Sequence, residues 1–305
     1  MTSGLPTPAV GPADPVAIPA RDVSVRRAAR RATLRLLLRR PEFLIGVVVL
    51  AAWLVCAIGG TAIAPHDPYA GNPLFSHAPV GANGGEFVLG TDRLGRDVLS
   101  RVIVGSRDVL IVAPISAVIG VLLGTLLGLV MGYSRGLVDD FLSRLVEAFL
   151  SLPVTLVALL TLVVLGPSRR TVIGVVGLLF APIVARTVRA AVLAERELDY
   201  VQAARLRGET GRFIMGREIL PNITGPIIVE LTVRIGYAVF TISTLSFLGV
   251  GLQPPSPDWG LMISEEYSMI INGYWWPVLF PSLAIASLVI ASNLIADALQ
   301  AVLQR

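Results

Sequence analysis

Asp199-Tyr-Val-Gln-Ala-Ala-Arg-Leu-Arg-Gly208, followed by Ile219-Leu-Pro221, is a polar interlude between two long apolar runs. Its residue types spell a short helix, a glycine break, a second short helix and a proline stop. Asp199 suits an N-cap, and Gln202, three residues on, can reach back to it in a capping-box arrangement. Gly208 suits the left-handed position that ends a helix, and Pro221 disfavours helical geometry at Leu220. The pattern predicts a small rigid lever at a membrane face, with Tyr200, Ala203, Ala204 and Leu206 available to dock on a partner.

The flanking sequence supplies the membrane. The chain is 54% hydrophobic and only 15% charged, a balance outside the range of ordinary soluble domains. Runs of about 20 apolar residues, the length that crosses a ~30 Å hydrocarbon core, recur along it. They predict an all-α membrane protein with six transmembrane helices near residues 43–63, 109–133, 145–165, 172–191, 226–250 and 276–301. Pro41 can open the first span, Pro153 is expected to kink the third, and Pro182 lies inside the fourth. Tyr274, Trp275 and Trp276 anchor the sixth at an interface.

Every one of the 25 basic residues is Arg. Eight of them, between Arg21 and Arg40, precede the first span, so the positive-inside rule places the N-terminus in the cytoplasm. Six spans return the C-terminus to the same side. Residues 1–24, rich in Pro and Ala, are expected to be disordered within a basic N-terminal region 1–40, ahead of a six-span domain 41–305. A cleaved signal peptide is the rival reading of the first run, which is long for that role and is followed by five more. Outer loops then fall at 64–108 and 251–274, and the inner loop 192–225 carries Arg196, Arg205, Arg207, Arg212 and Arg217. Arg93, Arg96, Arg101, Arg107, Arg169 and Arg170 fall on the outer side, against the charge rule.

Several activities are excluded by residue types. A Walker phosphate loop needs a Lys, and the chain has none, so it cannot hydrolyse ATP by that route. A lone Cys56 allows no internal disulfide, and His66 and His77 share one loop without metal-ligand spacing. No metal and no cofactor of its own are expected. The net charge of +4 reflects inner-face arginines rather than nucleic-acid binding.

Within the spans, Gly120, Gly124, Gly128 and Gly132 fall on one face of the second, where bare backbone allows close helix approach. Glu230 and Arg234, at i and i+4 in the fifth, have the spacing of an ion pair; it serves either as a structural pair or as a polar wall of a path. Glu147 and Asp297 read as interfacial. Gly90-Thr-Asp-Arg-Leu-Gly-Arg-Asp-Val-Leu-Ser-Arg101 alternates charged and apolar residues at helical spacing. It predicts an amphipathic helix on the outer membrane surface, with Arg96 and Asp97 facing water. No internal repeat is visible, which weighs against common secondary-transporter plans.

Three motifs resemble one family. Gln202-Ala203-Ala204, then Gly208, then Ile219-Leu220-Pro221 is similar to the coupling loop of ABC importer permeases, with Gln where Glu is usual. The 90–101 stretch and Phe247-Leu-Gly-Val-Gly-Leu-Gln-Pro-Pro-Ser-Pro-Asp-Trp-Gly260 resemble the dipeptide/oligopeptide/nickel branch of that family. Together they cover residues 85–265 in the expected order. The resemblance implies an ABC importer type I permease fold with both termini cytoplasmic, forming half of a translocation pathway for di- or oligopeptides. It implies as partners a second, related permease in a heterodimer, two ABC ATPase domains that use ATP and Mg, an extracytoplasmic solute-binding protein and the bilayer of a bacterial cell membrane. Asp199, Tyr200, Gln202, Ala203, Ala204, Gly208, Ile219, Leu220 and Pro221 then form the ATPase-coupling loop. Glu230, Arg234, Thr241, Ser243, Thr244 and Ser246 are the candidate path, whose hydroxyls can serve a peptide backbone, although such groups more often bond their own helix. Nickel, glutathione or another small solute is the alternative cargo. An ion-coupled secondary transporter is the rival from another class; it would leave the lever unexplained. A membrane-embedded enzyme would need nucleophile or metal constellations that the spans lack.

Overall fold

The computed structural model describes residues 36–134 and 136–303. The expected disorder of residues 1–24 falls outside them, as does most of the basic 1–40 region.

Helix α1 (Pro41–Gly59) opens with its proline at the first helical position, where the missing N–H costs nothing. It continues as a 3-10 turn, Gly60–Ala62. Only Gly46 of α1 is buried within the chain, where a Cβ would stand 2.8 Å from the Ala291 carbonyl oxygen. The indole of Trp53 donates to the Ser287 hydroxyl at 2.9 Å, tying α1 to the last helix.

Helix α2 (Val98–Tyr133) has 36 residues, about 54 Å of helix and so well beyond a ~30 Å hydrocarbon core. It starts eleven residues ahead of the expected second span. Helices α3 (Leu137–Leu150) and α4 (Val154–Leu165) stand where one kinked third span is expected, and they meet at 84°. Pro153 lacks the N–H and its ring excludes a helical carbonyl four residues back, so α3 ends before it and α4 begins after it. At about 18 Å, α4 alone is too short to cross. The described residues therefore hold five helices long and apolar enough to span, or six if the broken pair counts as one.

Helix α5 (Arg169–Glu195) begins at a capping box in which Ser168 and Thr171 exchange side-chain bonds. Helix α6 (Asp199–Leu206) follows it, then α7 (Thr224–Phe247), α8 (Trp259–Glu266) and α9 (Trp276–Leu303). Pro182 and Pro281 lie inside α5 and α9.

The closest pairing is α2 on α5. All four glycines of the α2 stripe face α5: a Cβ at Gly120, Gly124, Gly128 or Gly132 would stand 2.5–2.8 Å from Phe180, Val184, Val188 or Val192. Absent side chains let the two backbones meet where a larger residue would hold them apart. One core joins α2, α4, α5, α7 and α9 through Val112, Leu162, Val176, Ile242 and Leu288. A second core lies at the α6 end of the bundle and holds Val121, Val184, Val188 and Val192 with Val201, Ala204, Ile214 and Ile219.

Candidate functional site

Helix α6 is short because its ends are chemically marked. Its N-cap is Leu198, extended at φ −74° and ψ 150°, with no side-chain cap. Asp199 is already helical, so its carboxylate favours the positive end of the helix without capping it. Gln202 donates from Nε2 to the Arg196 carbonyl at 3.4 Å. The expected Asp199–Gln202 capping box therefore does not form, because the extended residue lies one position earlier.

The other end is a Schellman motif. Gly208 lies at φ +76°, its N–H donates to the Arg205 carbonyl at 3.0 Å, and the Glu209 N–H reaches the Ala204 carbonyl at 3.2 Å. Thr210 then caps a continuous helical segment made of Gly211–Phe213, a π-turn at Ile214–Ile219 and Leu220–Asn222. Pro221 does not stop it: Leu220 stays helical at φ −53° and ψ −43°. The widened π-turn gives the pyrrolidine ring the room that a regular turn denies it.

Val201, Ala204, Ile214 and Ile219 are buried against the α5 valines. Ala204 thus points inward and is not available for docking, and Tyr200 is partly buried. Asp199, Ala203, Leu206, Gly208 and Pro221 remain on the surface, with Leu206 90% exposed. Leu220 is half-buried.

Side-chain contacts tie α6 and the residue Arg196 just before it to the ends of α2 and α5 and to the segment before α7. The Tyr200 hydroxyl donates to Glu195 at the end of α5 and accepts from Asn222 Nδ2, before α7, at 3.1 Å. Burial, then the bond to Glu195, pushes the Tyr200 pKa up to about 12, so this donor keeps its proton throughout the physiological range. Arg196 Nη1 donates to the Gly132 carbonyl of α2 at 2.6 Å, and the Arg205 guanidinium lies 5.3 Å from the centre of the Tyr133 ring. The result is a braced helix with one free face.

On α7, Glu230 and Arg234 approach to 3.0 Å, and the guanidinium sits 4.9 Å from the Tyr237 ring and 5.8 Å from Phe180. Thr241, Ser243 and Ser246 are buried in the bundle, and Ser246 Oγ accepts from the Leu252 N–H at 3.1 Å. Thr244 bonds its own helix at the Phe240 carbonyl, 2.9 Å away. Ser243 and Thr244, with Phe240 and Phe247, line a hollow of about 160 Å³, and Ser243 Oγ has no partner among the described residues. Of the four hydroxyl residues, Ser243 and Thr244 are the ones that line this hollow. Glu147 and Asp297 are exposed.

At the opposite end, the 90–101 stretch is not a surface helix. Four of its five charges are buried: Asp92, Arg96, Asp97 and Arg101 are each less than a tenth exposed, while Arg93 is exposed. Gly95, at φ +71°, lets the loop close so tightly that a Cβ would meet the Asn72 carbonyl oxygen at 1.9 Å. Arg96 then donates to Asp92 at 2.6 Å and to Glu265 of α8 at 2.7 Å. Burial pulls the Arg96 pKa down, and the two carboxylates more than offset it, leaving it raised. His77 contacts Glu266 at 3.0 Å and stacks on Tyr274. Charge interleaved with glycine was the only local sign of this knot. Its partners at 265–266 lie far along the chain, and no local periodicity points to them.

Asp258 caps α8 through the Leu261 N–H at 3.0 Å and is fully buried. Burial pushes its carboxyl up to about 6, against hydrogen bonds from Leu261 and Ser246. A carboxyl whose folded pKa is raised stabilises fully below its unfolded value, and that contribution is lost as pH rises through about 6. The thermal midpoint of Asp258→Asn, measured against that of the natural protein, should therefore fall as pH is lowered from about 8 to 5. A pH-independent difference would refute the assignment.

The profile described as the binding-protein-dependent transport system inner membrane component matches residues 124–305, which include α6 and its flanking spans. The chain is 37% identical to the di/tripeptide transport system permease protein DppC of Pseudomonas aeruginosa, covering 84% of this chain and 85% of that one. It is 39% identical to the dipeptide transport system permease protein DppC of Escherichia coli K12, covering 86% and 88%. With the glutathione transport system permease protein GsiD of Pectobacterium atrosepticum it shares 35% over 92% of each. A braced polar helix between long apolar spans, a family profile over more than half the chain and these identities converge: the chain belongs to the inner membrane components of binding-protein-dependent transport systems.

Proposed function

We propose that this chain is one of two permease subunits of an ATP-driven importer of di- or oligopeptides. The observation that carries this reading is α6. An eight-residue helix with one face held against the ends of α2 and α5 and the segment before α7 leaves Ala203, Leu206 and Gly208 exposed as a docking face. ATPase subunits seat on that face and their closure displaces α6, which carries the attached spans between inward-open and outward-open states. Chemistry resides in the partners, which use ATP and Mg; the chain itself, free of lysine, contributes motion. The arginines of residues 21–40 and of the α6 segment support the orientation with both termini and α6 in the cytoplasm. The 60–97 loop and α8 then face the solute-binding protein.

The names of the relatives support a di- or tripeptide cargo over nickel, and the glutathione relative keeps glutathione as the alternative. Glu230, Arg234, Ser243 and Thr244 are assigned to the path between the two permeases. The test is reconstitution in liposomes with the companion permease, the ATPases and the binding protein. The chain alone should hydrolyse no ATP, and labelled dipeptide should accumulate only when all components and ATP are present. Dipeptide accumulation driven by an ion gradient without the ATPases would overturn the reading.

A further inference from the structure

Arg107 and Arg169 sit at the bundle end opposite α6, where the charge rule disfavours them, and the structure gathers both at one hollow of about 540 Å³. The hollow is walled by the 3-10 turn that continues α1 (Thr61), the second to fourth turns of α2, the start of α5 and the turn after α7 (Ser256). Three of these walls are ends of spanning helices, so the hollow lies at the level where hydrocarbon gives way to water. Its single carboxylate, Asp108, is spoken for: it accepts from Arg169 and, at 2.6 Å, from the Ser256 hydroxyl. Arg107 is exposed and has no partner among the described residues. The hollow is therefore net cationic, and the five donors of Arg107 point to no internal acceptor.

A second observation says what anion fits. Ile111, half-buried in the wall of the hollow, begins a row on α2 that continues through Ile115, Val118 and Leu122, the last three each at least 41% exposed. Spacings of four, three and four residues keep them on one face, running about 17 Å into the membrane. Oxyanion-binding arginines above an apolar track of acyl-chain length match a phospholipid. A peptide carboxylate would have no use for the track. We propose that this hollow is a phospholipid site, in which Arg107 and Arg169 hold the headgroup phosphate of an outer-leaflet lipid whose acyl chain lies along Ile111–Leu122. The site goes beyond the transport reading and rests on it only for which leaflet supplies the lipid.

The test uses the intact complex in detergent, with dihexanoyl phosphatidylglycerol as probe and the thermal midpoint as readout. The lipid should raise the midpoint, and Arg107→Gln, which removes an unpaired side chain, should weaken its apparent affinity about tenfold. Arg212→Gln, in the α6 segment, should leave the affinity unchanged. Ile115→Asn should weaken it through the track. Dihexanoylglycerol, lacking phosphate, and glycerol phosphate, lacking chains, should each fail to raise the midpoint. Equal affinity in Arg107→Gln, or a full effect from glycerol phosphate or from diglycine, would overturn the proposal. A complex that binds the lipid but transports no peptide would leave this site standing while sinking the transport reading.

Discussion

Permease carrying Gly128→Leu should fail to accumulate as assembled complex. A Cβ there stands 2.7 Å from both the Ala185 carbonyl oxygen and the Val188 Cβ. Both belong to the α5 helix itself, so no side-chain rotation relieves the clash and the two helices must separate. Overpacking typically costs about 1–3 kcal/mol, and more where backbone must move. The α2–α5 contact also orders the core that seats α6, so the loss extends from packing to the docking face. Gly124→Leu should behave alike, with Val184 Cβ 2.5 Å away. Gly174→Leu on α5 is the control, since nothing lies within 4 Å of its Cβ position and the residue is exposed. The measurement is yield of co-purified complex after membrane extraction; normal yield for Gly128→Leu would show that the stripe tolerates bulk.

Gly208→Val should give a protein that inserts and pairs with its companion yet binds ATPases poorly and transports no peptide. A Cβ at Gly208 meets nothing within 4 Å, so the effect is purely of the backbone. At φ +76° a β-branched residue is strained by about 1–3 kcal/mol, which the Schellman turn escapes by unwinding. The spans, held by packing elsewhere, stay folded while the docking face re-aims. Gly208→Asn, which tolerates left-handed geometry, should restore most of the uptake and so separate conformation from contact. Ala203→Arg tests the face itself, by forcing a charge into the proposed ATPase contact. ATPase co-purification read beside dipeptide uptake decides both. Full uptake by Gly208→Val and Ala203→Arg together would remove the coupling role from this segment.

The spans were legible in the sequence because long apolar runs leave a chain few alternatives, and Gly208 because little but glycine sits easily at its φ. The rest depended on tertiary partners. Pro153 announces a disturbance, but whether the helix kinks or breaks depends on what the two halves find to pack on. Pro221 reads as a stop only if the preceding turn is regular, and the π-turn changes that premise. Asp199 and Leu198 differ as caps by one residue of chain extension, which no propensity resolves. The buried charges at 92–101 mimic a solvated face, since alternation of charge and apolar residues looks the same whether water or Glu265 answers the arginine. Ala204 reads as a surface residue until α5 supplies the wall that covers it.

The single hydroxyl of Tyr200 has a kinematic consequence. It is shared between Glu195 at the end of α5 and Asn222 ahead of α7, and the Arg205 guanidinium lies over the Tyr133 ring at the end of α2, so α6 is held at three joints. A link so constrained keeps few independent degrees of freedom: it cannot tilt toward α5 without drawing on α7, nor slide without pulling α2. In the proposed coupling role, a push on its free face would therefore reach all three joints together. Under that role, the geometry of those joints would set the direction of the stroke delivered to the bundle.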